Sequence, residues 1–197
     1  MRSFLLIIAC HEIERENAVQ GPERDERLQE LWDHHEIRQL LATYCHGCDR
    51  ADEAEMASVY CEESWDDHGP DKCDGKVFTQ RILEKARQTT KVVSHMLGQS
   101  LIRVNGSAAS AETYFVATLI ADTDPGERMT QLGGRYVDTL EREQGTWRIK
   151  ERLCVRDWSS TGEIDPGYLA TAGFVEGRRG SADVSWEKLG LVPETAA

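Results

Sequence analysis

Near residue 90 the apolar pattern of this chain changes period, and that change does most to limit what it can fold into. Before it, apolar residues recur at helical spacing. Ile37, Leu40, Leu41, Tyr44, Cys45 and Cys48 form one such stripe, and Val77, Phe78, Ile82, Leu83 and Ala86 form another. After it, residues 92–104, 108–121 and 129–143 read as strands, and Trp147, Ile149, Leu153 and Val155 share one parity in a fourth. Asn105-Gly106 is a strong hairpin signal. Asp122–Gly126 and Gln144-Gly145 supply further turns, and Gly133-Gly134 marks a bulge or sharp bend. Helices first and an antiparallel meander second predict an α+β fold. A bent sheet wrapped around helices leaves one open mouth, so a pocket is expected.

The finer reading sets the boundaries. Residues 11–27 are charged and contain the breaker Gly21-Pro22, which predicts a linker or loose arm, with a helix starting near Arg27 or Leu28. Gly47 is expected to loosen the last turn of that helix. A short helix follows over Asp52–Tyr60, with Asp52 as cap and Glu55 as its capping-box partner. Trp65–Pro70 is a short strand or loop, and Gly75–Thr89 is a helix. The expected division is an extension or arm over 1–26, a domain over 27–158 and a polar, Gly-rich tail over 159–197. That tail is expected to cover the pocket or a partner subunit. The apolar run Phe4–Cys10 is far shorter than the about 20 residues of a membrane span. No small-residue cleavage site follows it, so a docking strand or an upstream extension is expected rather than a signal peptide.

Composition narrows the partners. The chain has 197 residues and a net charge of −12, a surface that repels nucleic acid and anionic lipid. Neither nucleic acid nor membrane is expected as a partner. Arg178-Arg179 is too short to act as a basic stripe. Six spread cysteines in a chain long enough to build a core suggest reduced thiols and a cytoplasmic location. Cys45-His46-Gly47-Cys48 invites a zinc or redox reading, but it lacks a second close cysteine pair. It also falls at a helix C-terminus, where the dipole opposes thiolate formation. No metal is expected. No GxGxxG, P-loop, HExxH or GxSxG motif occurs, which argues against nucleotide-dependent and serine-hydrolase chemistry.

Three residues stand out for acid–base work. Tyr44 lies on the buried stripe of the first helix and Asp49 near its end. A carboxylate facing a pocket has its neutral form favoured by desolvation, which suits a general acid or base. A phenol beside it can donate to a developing oxyanion. The plain alternative is that Tyr44 is core and Asp49 caps the next segment. His95, among apolar neighbours, is either a proton carrier near neutral pH or a satisfied core histidine. Asp66 and His68 would share one face of a strand. His68, Trp65, Tyr114 and Arg135 are the candidates for binding substrate. Arg135 follows two glycines at a bend, so it either aims inward at a substrate oxygen or pairs across strands with Glu112 or Glu151.

In order, Ile37–Leu41, Tyr44, Asp49, Ser58–Tyr60, Asp66–Gly69, His95, Gly133–Asp138, Trp147–Ile149 and Arg152 resemble the SnoaL-like branch of the NTF2-like superfamily over residues 27–158. The resemblance implies a cone-shaped α+β barrel with a deep apolar cavity, commonly a homodimer or higher homo-oligomer packed through the sheet. It implies a cofactor-independent lyase similar to scytalone dehydratases, bile-acid dehydratases and dehydrochlorinases. The substrate would be a small apolar hydroxy compound, aromatic or polycyclic, that undergoes elimination or C–C cleavage. Tyr44 would polarise its oxygen, Asp49 would orient His95, and His95 would be the base. Ketosteroid-isomerase-like and polyketide-cyclase-like enzymes and non-catalytic small-molecule-binding domains share the same framework.

Overall fold

The structure is a computed structural model that describes residues 21–123, 126–164 and 167–191. The apolar run Phe4–Cys10 lies outside the described residues. Two compact units divide the chain, Met1–Ile37 and Arg38–Ala197.

Helix α1 spans Pro22–Arg50. Gly21-Pro22 opens this helix rather than breaking the chain before it, so the helix starts earlier than Arg27. Proline suits a first helical position, where its missing N–H has no intrahelical partner to lose. Glu23 and Asp25 in the first turn complement the helix dipole. Gly47 does not loosen the last turn. It allows a close approach instead, since a Cβ there would sit 2.6 Å from the Met56 amide nitrogen. Met56 lies in α2, Glu53–Ala57, which is shorter than expected. Asp52 caps α2 by accepting from the Glu55 amide at 3.0 Å. The box does not close, because the Glu55 carboxylate goes to His46 Nδ1 at 2.6 Å.

Strands β1 (Tyr60–His68) and β2 (Asp71–Cys73) form a hairpin turned at Gly69, whose φ is +77°. Helix α3, Gly75–Thr89, matches the sequence reading at both ends, and Asp74 caps it by accepting from the amides of Lys76 and Val77. Then come β3 (Val92–Asn105), β4 (Ala108–Asp122), β5 (Glu127–Glu143) and β6 (Thr146–Ile164). They form one curved, unclosed sheet of six strands in the order β2-β1-β6-β5-β4-β3. The fold is α+β, as expected. One pairing departs from a pure meander: β1 runs parallel to β6.

Irregularities in this sheet decide which residues face inward. Asp157 is an extra residue on β6 opposite Gly133-Gly134, so the expected bulge is present. Both glycines are needed there. A Cβ would come within 2.0 Å of the Trp158 ring at Gly133 and within 2.0 Å of the Val155 carbonyl at Gly134. A second bulge was not expected. Thr139 pairs with Glu151 and Leu140 with Ile149, which leaves Lys150 unpaired. Trp147 and Ile149 are buried before it, whereas Arg152 and Cys154 are buried after it and Leu153 is exposed. The expected single parity of Trp147, Ile149, Leu153 and Val155 therefore breaks at Lys150.

Arg152 holds the middle of the core. Its guanidinium donates to both carboxylate oxygens of Asp138 at 2.8 Å, with both side chains fully buried. The rings of Tyr44 and Tyr136 flank it at 4.1 and 4.2 Å.

Strand β6 continues to Ile164, past the domain limit expected at 158. The rest of the described chain forms α4 (Gly167–Ala172), a 3₁₀ turn at Gly180–Ala182 and α5 (Val184–Leu189). Arg179 donates to the carbonyls of Ala86 and Thr90 at 3.2 and 2.7 Å, which satisfies the open end of α3. Asp183 accepts from Arg50 at 3.1 Å at the end of α1. Among the described residues no helix is long and apolar enough to cross a membrane.

Candidate active site

A cavity of about 440 Å³ opens between α1, α3 and the inner face of the sheet. Val93, Phe78, Phe115, Leu119, Leu132 and Tyr136 supply much of its apolar wall. Tyr44, His68, His95, Cys154 and Arg156 supply polar atoms. The size and the mix of apolar wall with a few polar groups suit a small-molecule site.

His95 reaches the cavity from β3 and Asp49 stands behind it in the last turn of α1. One oxygen of Asp49 accepts from His95 Nδ1 at 2.6 Å and the other accepts the His95 backbone N–H at 2.8 Å. The carboxylate thus fixes the ring and its backbone together. A carboxylate only accepts, so Nδ1 carries the hydrogen and Nε2 is left as the acceptor. Both side chains are about one-tenth exposed.

Tyr44 lines the same cavity from α1. Its ring stands edge-on to Tyr60 and Tyr136, with centroids at 6.2 and 5.6 Å. Burial pushes its phenol well above the usual range, against the opposing pull of Arg152. A phenol kept protonated in this way can donate a hydrogen bond.

A second Asp–His pair lies on β1. Asp66, fully buried, pairs with His68 Nδ1 through one oxygen and accepts the Tyr60 hydroxyl at 2.5 Å through the other. The sharing of one strand face by Asp66 and His68 is the geometry expected from sequence. His68 stacks on Phe78 with centroids 4.2 Å apart and lines the cavity with Cys154. Burial opposes its charge, but Asp66 and Cys154 outweigh burial and raise the imidazole above its ordinary value. Burial likewise pushes the Cys154 thiol up, and His68 and Arg156 overcome it, leaving the thiol below its ordinary value.

Tyr44, His68 and His95 thus meet at one cavity with Asp49 behind His95. The other expected substrate contacts do not. Trp65 is 49% exposed and Tyr114 44%, because each neighbours an inward residue, Asp66 or Phe115, on a strand whose faces alternate. Arg135 lies between buried Gly134 and Tyr136 and points outward, where it pairs with Glu112 at 3.0 Å and Asp157 at 3.2 Å. The cross-strand ion pair is the reading that holds. Cys154, Arg156, Phe115 and Tyr136 were missed as cavity residues. For Cys154 the signal in sequence was its even spacing from Arg152, visible only once the Lys150 bulge is known.

Both cysteines of the α1 motif are buried. Burial pushes the Cys45 thiol up to about 12 and the Cys48 thiol up as well. Cys48, Asp49 and His95 together offer ligand atoms within 4.8 Å of one another. A metal at this point would need the Cys48 thiolate, the form that burial disfavours.

A family model described as the SnoaL-like domain matches residues 29–153. No curated protein matches the chain in sequence. Several solved structures share its fold. A Novosphingobium aromaticivorans protein provisionally assigned as a scytalone dehydratase is 19% identical, with a TM-score of 0.60 over 69% of this chain and 91% of that one. Rv3472, a Mycobacterium tuberculosis protein of unknown function solved as a single-residue variant, is 23% identical, with a TM-score of 0.57 over 70% of this chain and 76% of that one. The type 2 hexachlorocyclohexane dehydrochlorinase LinA is 14% identical, with a TM-score of 0.63 over 72% of this chain and 99% of that one.

Proposed function

We propose that this chain, which belongs to the SnoaL-like domain family, is a cofactor-independent lyase that eliminates water from a small, largely apolar hydroxy compound. The observation that carries the reading is the doubly held His95–Asp49 pair on the wall of a mostly apolar cavity. An elimination needs a base, a donor to the oxygen that gains charge, and a dry site that strengthens both.

In this reading His95 Nε2 takes the proton from the carbon next to an activating carbonyl or ring. The C–H electron pair becomes the new C=C bond, and the hydroxyl on the adjacent carbon leaves. The proton on the imidazolium goes to that hydroxide, so water is the second product. Asp49 keeps the ring oriented and steadies its positive charge while the proton is held. Tyr44 donates to the substrate oxygen, a role its high pKa suits. The aromatic walls Phe115 and Tyr136, stacked at 4.3 Å, favour an aromatic or polycyclic body.

The outer face of the sheet carries exposed Met96, Leu101, Tyr114, Val137 and Leu153. In our reading this face packs against a second copy, which light scattering tests.

The functional test is a panel of small aromatic and alicyclic β-hydroxy ketones, followed by the absorbance of the conjugated product. Turnover that disappears in His95→Gln and in Asp49→Asn, both with unchanged circular dichroism, supports the reading. Undiminished turnover in either variant overturns it.

A further inference from the structure

We propose that Cys154 is a second reactive centre of the cavity, a thiol that adds to small conjugated carbonyl compounds. The proposal does not depend on elimination at His95. It starts from the way the second Asp–His pair ends. On His95 the nitrogen opposite Asp49 is left for the cavity. On His68 the ring that pairs with Asp66 lines the cavity with Cys154, which lies one step past the Asp67–Leu153 pairing of β1 with β6. Tyr60, Asp66 and His68 thus form one hydrogen-bonded chain on β1, beside Cys154 on β6. From the other side Arg156 Nε donates to the same sulfur at 3.4 Å. A thiol between an oriented imidazole and a guanidinium is the arrangement that favours a thiolate.

Cys48 provides a comparison within the same cavity. It too lines the wall, yet burial pushes its thiol up, and Asp49 and Cys45 add to the rise. Cys45, Cys61 and Cys73 are likewise shifted upward. Cys154 is the one cysteine among the described residues whose thiol is shifted down.

The surroundings suggest the electrophile. Phe78 and Phe115 offer an apolar bed, and Arg156, on the cavity wall, is a cation for an oxygen. A conjugated enone has both parts. In the reaction His68 takes the thiol proton and the sulfur bonds to the β carbon. The C=C π pair moves onto the carbonyl oxygen, where Arg156 offsets the charge. The proton on His68 then returns to the α carbon as the carbonyl re-forms. One C–S bond and one C–H bond are made, and no oxidant or second reactant is needed.

The test uses the full chain with cyclohex-2-enone and, in parallel, iodoacetamide, mapping adducts by peptide mass spectrometry against pH. The expected result is an enone adduct on Cys154 that forms at neutral pH about tenfold faster than on a free cysteine peptide. The half-maximal rate should fall below pH 9.0, the ordinary thiol value. His68→Gln should slow the reaction and move that midpoint upward. Labelling of Cys48 or Cys73 ahead of Cys154, or a Cys154 rate no faster than the peptide's, overturns the proposal. So does iodoacetamide alkylation of Cys154 with no enone adduct. The wild-type measurement alone decides the matter if the His68 variant does not fold.

Discussion

The two Asp–His pairs that face the cavity are built in opposite ways. Asp66 and His68 stand two residues apart on one strand, so β1 alone brings them together. Asp49 and His95 are 46 residues apart and meet only when the end of α1 packs on β3. The local pair is buried and backed by Tyr60, and its ring shares the cavity wall with a thiol. The long-range pair is clamped through the backbone, and its ring lines the cavity. One fold thus carries two Asp–His pairs of opposite construction at one cavity.

The largest effect should separate their duties. His95→Gln should lower kcat/KM for elimination by about 10²–10⁴-fold while leaving the alkylation rate at Cys154 unchanged. Steady-state kinetics and thiol labelling of one preparation check both. Next comes stability. Asp66→Asn removes a buried charge that two neighbours hydrogen-bond, and should cost about 1.5–3 kcal/mol in urea unfolding. A smaller effect follows from pH. Asp66 holds the proton on His68 more tightly in the folded chain than in the unfolded one, so the stability it adds is full below pH 6.5, the ordinary value, and is lost as pH rises through the raised folded value. With Cys154→Ser as background, the melting temperature should fall relative to Cys154→Ser/His68→Gln as pH is raised over that window. A gap that widens with rising pH would contradict the assignment. The smallest effect is expected from Tyr60→Phe, about 1 kcal/mol, since Asp66 keeps its histidine.

The same contrast explains what could be read from the sequence. The helix Gly75–Thr89 was legible at both ends because its signals are local: an aspartate cap, a periodic stripe and a clear stop. Asn105-Gly106 was legible for the same reason, and Asp66 with His68 followed from strand alternation. The meeting of Asp49 with His95 rested on the SnoaL-like resemblance, since neither residue's neighbours in sequence hint at the other. Trp65, Tyr114 and Arg135 were misread as cavity residues. Composition and a nearby bend say nothing about face, and each stands next to the residue that does point in. Pro22 was misread because a proline that ends one helix and a proline that opens the next look alike without the hydrogen bonds around them. The inward turn of Arg152 and Cys154 was hidden by one unpaired residue, Lys150, which leaves no mark in composition.

That residue has a consequence for how such a cavity changes over time. Because Lys150 is the extra residue of a bulge, the loss of its codon would leave plain alternation, with Ile149, Arg152 and Cys154 still facing inward and Leu153 still facing out. The sheet order can stay as it is. Insertions and deletions inside strands are usually counted as damage. In an open sheet wrapped around a pocket, a bulge is a place where a lineage can lose or gain a residue without giving up the surface that lines the pocket.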